Sequence, residues 1–313
     1  MAHITFIHGI SNKPAQDKLL KLWLRSLEEK EGIDLGTSGV SSSMVYWADV
    51  FYPEPLDDAM LESAQDLENN AAVAAQEGAD PDMSWRQEIS GDEKAMVDSL
   101  AAKLSFDVLV DDAFAPPESE ADRNLERIPL PWFIKRRIMK EFLRDVHHYL
   151  FNKENNPRPG SSYKVQDEIR RRMIESLKEG AAKSSPHVLV SHSMGTVIAY
   201  DCLVRVPECP AVDGFMTIGS PLGLDEVQDK LQPGWSRENG FPSAKLRGGW
   251  VNVYDVLDPV TGFDGNIAND FKRNGQDVVE VINEQNWGKW RHNITKYFNG
   301  PKLRASLGNL VGL

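Results

Sequence analysis

The chain of 313 residues contains only two cysteines, Cys202 and Cys209, and their spacing matches no zinc or redox motif. So low a count excludes a disulfide framework, and pairing between these two is not expected in a chain read as cytoplasmic. No apolar run approaches the roughly 18 residues that a membrane-spanning helix needs. The stretch Ile4-Thr5-Phe6-Ile7 is too short for the apolar centre of a signal peptide. Basic side chains are scarce as well: 35 Lys plus Arg stand against 47 Asp plus Glu, a net charge of −12. Nucleic acid is therefore not an expected partner, since its binding depends on Lys and Arg neutralising phosphates. Motifs of the His-Glu-x-x-His, EF-hand and phosphate-cradling glycine types are absent, so the sequence implies no metal and no cofactor.

The acidity is concentrated in one stretch. Residues 57–122 hold 18 acidic and 3 basic side chains, which leaves 32 basic and 29 acidic for the rest. The argument against anionic partners thus applies to that stretch and not to the nearly neutral remainder.

Short β-rich runs bounded by Gly, Pro or polar residues lie at 3–7, 44–47, 188–191, 214–218, 250–256 and 278–282. Most are continuously apolar, as strands buried on both faces of a parallel sheet must be. Helical spacing occupies the intervals: Leu19, Trp23 and Leu27 within 18–29, Ile169, Met173 and Leu177 within 162–180, and a short apolar helix at 196–206 ended by Pro207. Alternation of this kind predicts an α/β fold with a mostly parallel sheet of about six strands flanked by helices. Residues 1–52 and 160–313 form the expected core. Between them, 53–159 shows no convincing strand, and helices are expected at 57–77, 93–111 and 132–151. An insertion of this kind reads as a helical cap or lid. Within it, 130–143 combines large apolar residues with Lys135, Arg136 and Arg137. A cap helix with its basic face in solvent is preferred there to a membrane-surface helix. The adjacent His147 and His148 read as surface or cap residues, and Leu303, Leu307 and Leu310 as one face of a short packed helix.

The densest chemical signal is His187-Val-Leu-Val-Ser191-His192-Ser193-Met194-Gly195, a strand running through Ser-x-Ser-x-Gly into a helix. That is the layout of a nucleophile elbow, whose tight turn lifts a serine hydroxyl above the sheet and demands small residues two before and two after it. Gly195 meets that demand fully and Ser191 adequately. The string alone also fits a serine capping a helix, so context decides. An elbow enzyme needs two backbone N–H groups aimed at a developing oxyanion. One follows the nucleophile, at Met194; the other suits Ile10, after His8-Gly9 at the end of the first strand. The partners follow in the order Ser, acid, His. A single histidine, His292, lies beyond Ser193. For the acid, Trp250-Val-Asn-Val-Tyr-Asp255-Val-Leu-Asp258-Pro-Val260 offers two candidates. Asp258 follows the apolar run and precedes a proline, which marks a loop start. Asp255 falls inside the run and is the alternative, with Asp225 and Glu226 as outside options.

Together, Phe-Ile-His8-Gly9, Ser-His-Ser193-Met-Gly195, Thr-Ile-Gly219-Ser220-Pro221-Leu222, Asn252-x-x-Asp255-x-x-Asp258-Pro-Val and a late His292-x4-Tyr297 resemble the α/β-hydrolase superfamily. The likeness is to its bacterial serine esterases, of the lipase and inositol-deacylase-like branch. It covers roughly residues 3–50, 160–225 and 248–300, and leaves 53–159 out. The resemblance implies a Ser193–His292–Asp258 triad with the Ile10 and Met194 amides as oxyanion hole. The expected function is cleavage of a carboxylic ester with a hydrophobic acyl or alkyl group by a cytoplasmic serine hydrolase. Rival readings are a membrane-surface lipase or phospholipase, a lactone or macrolide ester hydrolase, and a non-catalytic relative that binds a ligand. Nothing in the sequence sets an oligomeric state.

Overall fold

The apolar runs assemble into one parallel sheet. The computed structural model describes residues 1–56, 81–103, 132–261, 264–287 and 291–313. The chain divides into two compact units: Met1–Gly9, Ala15–Trp47 and Asp167–Leu313 form the first, and Ile10–Pro14 and Ala48–Gln166 the second.

In chain order the elements are β1 (His3–Ile7), α1 (Gln16–Glu28), β2 (Ser41–Val45), α2 (Gly91–Lys103), α3 (Trp132–Leu150), β3 (Glu154–Arg158), β4 (Ser161–Lys164) and α4 (Val165–Lys183). They continue with β5 (His187–His192), α5 (Met194–Arg205), β6 (Gly214–Ile218), α6 (Asp225–Leu231), β7 (Trp250–Tyr254), β8 (Glu280–Asn283), α7 (Ile294–Phe298) and α8 (Pro301–Val311). The first unit carries the six-stranded sheet, in the order β2-β1-β5-β6-β7-β8. Every pairing in it is parallel. From β1 the chain goes outward to β2 on one side and later returns to β5 on the other, so a topological switch lies between β1 and β5. Ligands of open α/β sheets bind at such a point, beyond the carboxyl ends of the strands.

Successive side chains of a strand face opposite sides of the sheet. On one side Ile4, Phe6, Val188, Val190, Met216, Ile218, Val251 and Val253 join the buried faces of α1, α7 and α8 in a single core. Trp23 of α1 anchors it, meeting Phe6 edge-on at 5.5 Å and Phe298 at 5.3 Å between ring centroids. Leu303 and Leu307 of α8 are fully buried in the same core, with Leu310 packed beside it. The opposite side is more polar. There Thr5 Oγ1 bonds His187 Nε2 at 2.9 Å, and the His3 ring lies between Ser41 Oγ at 2.8 Å and Ser43 Oγ at 3.1 Å. Burying a polar group without a partner costs about 1–3 kcal/mol, which explains why these side chains meet. Cys202 and Cys209 are buried and free, and burial pushes the Cys209 thiol up to about 12.

Strand limits shift at the edges. The strand expected at 44–47 runs from Ser41 to Val45, because Ser41-Ser42-Ser43 pair with His3, Ile4 and Thr5 through the backbone despite their polarity. The helix expected from 162 begins at Val165, since 161–164 form β4. β3 and β4 are an antiparallel hairpin in the second unit, in a region where no strand was expected before 160. Its first strand, Glu-Asn-Asn-Pro-Arg, has no apolar alternation. Pro157 falls in a register shift between Asn155 and Arg158, where a missing N–H does no harm.

Elsewhere in the second unit, α2 packs on α3. One expectation for α3 is corrected. His147 and His148 are buried, not at the surface. His147 Nε2 bonds Glu93 Oε2 at 3.0 Å and its ring stacks on Trp85 at 4.4 Å. Of the basic face expected on this helix, the Lys135 and Arg136 side chains lie outside the described residues; Arg137 pairs with Glu141 at 3.1 Å, and further along Arg144 pairs with Asp145 at 2.8 Å and the Tyr52 hydroxyl at 2.9 Å. The helix expected at 57–77 and the second half of that at 93–111 lie outside the described residues. Among those described, no helix is long and apolar enough to cross a membrane.

The buried imidazoles make stability pH-dependent. Burial, with the neighbouring His187, holds His3 at about 4 against an ordinary value of 6.5, and burial also lowers His187. Between those pH values the unfolded chain binds more protons than the folded one. Stability is therefore complete above pH 6.5 and falls as pH drops towards 4. Urea denaturation should give a lower midpoint at pH 5 than at pH 7, with a smaller drop in His3→Gln; equal drops in both would remove His3 as a cause.

Candidate active site

β5 ends at His192 and α5 begins at Met194, so one residue makes the whole turn. Ser193 does so with φ +55° and ψ −131°, a conformation that side-chain-bearing residues rarely adopt. Such a residue costs about 1–3 kcal/mol and persists only where its surroundings impose it. Here the Ser193 N–H donates to the Ile218 carbonyl at 2.9 Å, extending the β5–β6 ladder by one residue. The Ser193 carbonyl accepts from the Thr196 N–H at 2.9 Å and its hydroxyl at 2.7 Å. Two glycines leave space for the turn. A Cβ on Gly9 would lie 2.5 Å from Ser193 Cβ, and one on Gly195 would lie 2.6 Å from the His8 carbonyl oxygen. Ser191 fits where a glycine is usual because its hydroxyl donates inward to the Met216 carbonyl at 3.0 Å.

His8, at the end of β1, is fixed on all sides. Its Nε2 accepts from the Trp47 N–H at 3.0 Å, so the proton sits on Nδ1, which donates to the Gly9 carbonyl at 2.8 Å. The ring stacks on Trp47 at 4.9 Å. Met194 is the first residue of α5, where backbone N–H groups have no acceptor within the helix. Ile10 is buried and opens the segment Ile10–Pro14 of the second unit.

Ser193, His292 and Asp258 come together from three separate loops of the first unit. His292 Nε2 lies 2.8 Å from Ser193 Oγ. Its Nδ1 faces both carboxylate oxygens of Asp258, at 2.9 and 2.8 Å. A ring nitrogen between two carboxylate oxygens carries the proton, which leaves Nε2 as the acceptor for the serine hydroxyl. All three residues are buried. Asp258 is further held by the Val260 N–H at 2.8 Å to Oδ1 and by the Tyr297 hydroxyl at 2.7 Å to Oδ2. Burial, with the Asp258 charge beside it, raises the Tyr297 phenol far above its ordinary range, so it stays a donor. Gly219 closes the arrangement: its φ is +57°, and a Cβ there would meet His292 Cε1 at 3.0 Å and Asp258 Oδ2 at 3.3 Å.

Asp255 has a different task. Its Oδ2 accepts from the Asn286 N–H at 2.6 Å and from Arg291 at 3.2 Å, and Asn286 Nδ2 donates to the Arg291 carbonyl at 2.7 Å. It therefore grips the loop that carries His292. Asp225 and Glu226 sit in the first turn of α6; the oxygens at His292 Nδ1 belong to Asp258. Sequence reasoning assigned no role to Tyr297 or this loop anchor, and read Gly219-Ser220-Pro221 only as shaping a loop near the site. His-x4-Tyr was the available signal for Tyr297, since α7 places that hydroxyl under Asp258. His192 supports the same loop, its Nε2 donating to the His292 carbonyl at 3.0 Å.

Among the described residues no cluster of His, Cys, Asp and Glu could hold a metal ion. No protein-family model matches the chain, and no curated protein matches it significantly. The chemistry is thus read from the residues themselves: a hydroxyl, an imidazole oriented to take its proton, and a carboxylate oriented by three donors.

Tyr297 also accepts from the Asp255 N–H at 2.9 Å. Tyr297→Phe therefore leaves the buried Asp255 N–H without its acceptor and takes one of two donors from Asp258 Oδ2, which keeps His292 Nδ1, while the ring still fills its space. The expected loss is about 1–3 kcal/mol of unfolding free energy in urea; a change within error would show that water replaces the phenol at no cost.

Proposed function

We propose that the chain is a serine hydrolase of the α/β-hydrolase kind, which cleaves a carboxylic ester of a hydrophobic substrate through an acyl-enzyme on Ser193. The observation that carries this reading is the unbroken relay from Ser193 Oγ to His292 at 2.8 Å and on to Asp258 at 2.8 Å. It stands at the carboxyl end of the strands, beside the topological switch. The hydrophobic character of the substrate, and a lid role for 53–159, rest on the sequence of that segment.

A serine hydroxyl is a weak nucleophile at neutral pH. In the proposed reaction Ser193 Oγ attacks the acyl carbonyl carbon as its proton passes to His292 Nε2. Asp258 remains a carboxylate, holding the ring in the right tautomer and stabilising its cationic form. Negative charge gathers on the carbonyl oxygen, and the Met194 N–H is the proposed donor to it from the first unit, with Ile10 the second donor that the sequence resemblance implies. Loss of one such donor typically costs about 100–1000-fold in turnover. His292 then gives its proton to the leaving alcohol oxygen. Water attacks the acyl-enzyme with His292 again as base, and the acid departs.

Two measurements test the reading. A fluorophosphonate probe should label the unaltered chain and leave Ser193→Ala unlabelled; an unlabelled native chain, or equal labelling of both, would sink the proposal. On a panel of nitrophenyl esters of increasing acyl length, Ser193→Ala should lose about 10⁴-fold or more in kcat/KM. The panel also separates the two acids. Asp258→Asn leaves the imidazole in the wrong tautomer and should lower kcat by about 10³–10⁴-fold, from the behaviour of serine hydrolases generally. Asp255→Asn should act mainly on stability, by loosening the loop that carries His292; the opposite ranking would reassign the acid.

A further inference from the structure

The first unit has a concave feature that the proposed chemistry does not use. It is an open cleft of about 690 Å³ lined in part by Leu203, Phe241, Ser243, Leu246, Arg247 and Arg273. That volume suits a small organic ligand. Leu203 lies near the end of α5, a helix of 12 residues whose first turn follows Ser193. At 1.5 Å per residue the helix is about 18 Å long. Leu246 bridges to Val212 just before β6 and β7 begin. The cleft therefore sits at the amino ends of the strands, and Ser193 at their carboxyl ends.

Its walls are tied together by hydrogen bonds. The Phe241 N–H donates to the Lys272 carbonyl at 2.9 Å, the Lys272 N–H to Arg237 at 3.2 Å, and the Gly275 N–H to Glu238 at 2.9 Å. Asn274 Nα donates to Asn239 Oδ1 at 3.2 Å. Asn274 and Gly275 have φ of +52° and +75°, the pair of left-handed residues that a tight two-residue turn needs. The rim is thus held by the chain's own hydrogen bonds.

Charge is the second observation. The lining contains two guanidinium groups and no carboxylate. Arg247 pairs with Asp213 at 3.1 Å. Arg273 has no such partner among the described residues: its guanidinium carbon lies 3.8 Å from the centroid of the Phe241 ring, and its Nε is buried without a hydrogen bond. A half-buried cation set on an aromatic face, its planar fork carrying several N–H donors, is suited to two-point contact with an oxyanion. Leu203, Leu246 and Phe241 supply an apolar surface next to it.

We infer that this cleft is a binding site, separate from Ser193, for a small molecule that joins a carboxylate or phosphate head to an apolar body, with Arg273 taking the head. The inference stands whether or not Ser193 is catalytic. Calorimetric titration of the intact protein with hexanoate and hexyl phosphate tests it, against hexan-1-ol and inorganic phosphate. Each amphiphilic anion should bind at one site, more tightly than hexan-1-ol or phosphate alone. Hexanoate should bind Ser193→Ala as it binds the unaltered chain. Arg273→Gln should weaken binding about tenfold or more, and Arg247→Gln less. Hexan-1-ol binding as tightly as hexanoate would overturn the inference with no variant needed. Undiminished hexanoate binding to a folded Arg273→Gln, or its loss in Ser193→Ala, would do the same.

Discussion

The single-residue turn at Ser193 is the constraint around which the site is arranged. A serine with φ +55° is unfavourable in isolation. It is held because the strand before it and the helix after it are both fixed by the sheet, and because two neighbours lack a Cβ. Gly195 lets α5 approach the end of β1, and Gly9 lets the loop after β1 pass over Ser193 itself. The strain is local, whereas its support comes from β1, β5, β6 and α5 together. A change that separates β1 from β5 would release the turn without touching the serine.

The two aspartates of the β7 loop divide a task that one could not perform. Asp258 faces the imidazole, and Asp255 faces the backbone and Arg291 of the loop bearing it. A histidine on a loop has the freedom of that loop, so orienting the ring achieves little unless the backbone is fixed too. Tyr297 joins the two by accepting from the Asp255 N–H and donating to the Asp258 carboxylate. Ring and loop are therefore held through one phenol, itself fully buried in the core under α1.

How much of this was legible in the sequence depends on the reach of each signal. The α/β alternation and the central strands were readable because β1, β5 and β6 are buried on both faces and stay apolar almost throughout. The edge strand β2 was misplaced because three serines pair through their backbones, which no side-chain pattern reveals. The β3–β4 hairpin was missed for the same reason, with a proline inside its irregular register. For the site, Ser193 was marked by spacing and His292 by elimination, and the choice of Asp258 over Asp255 turned on a proline. How Gly219 and Tyr297 act on the acid and the histidine needed three-dimensional packing, since each meets residues 39 or more positions away. The burial of His147 and His148 was illegible because their partners, Trp85 and Glu93, lie more than fifty residues earlier.

The sheet order has a consequence for how the site comes into being. β1 pairs with β5, which follows about 180 residues later. The histidine and the phenol that fixes its acid arrive only at 292 and 297. Closing a contact over so long a stretch carries its entropic cost before any reward. No fragment ending before α7 contains all of Ser193, His292 and Tyr297. During synthesis the serine thus emerges well before the histidine and the phenol it is linked to in the folded chain. The arrangement of Ser193, His292 and Asp258 is complete only once the loop bearing His292 has docked, so the geometry of the site is a late product of folding.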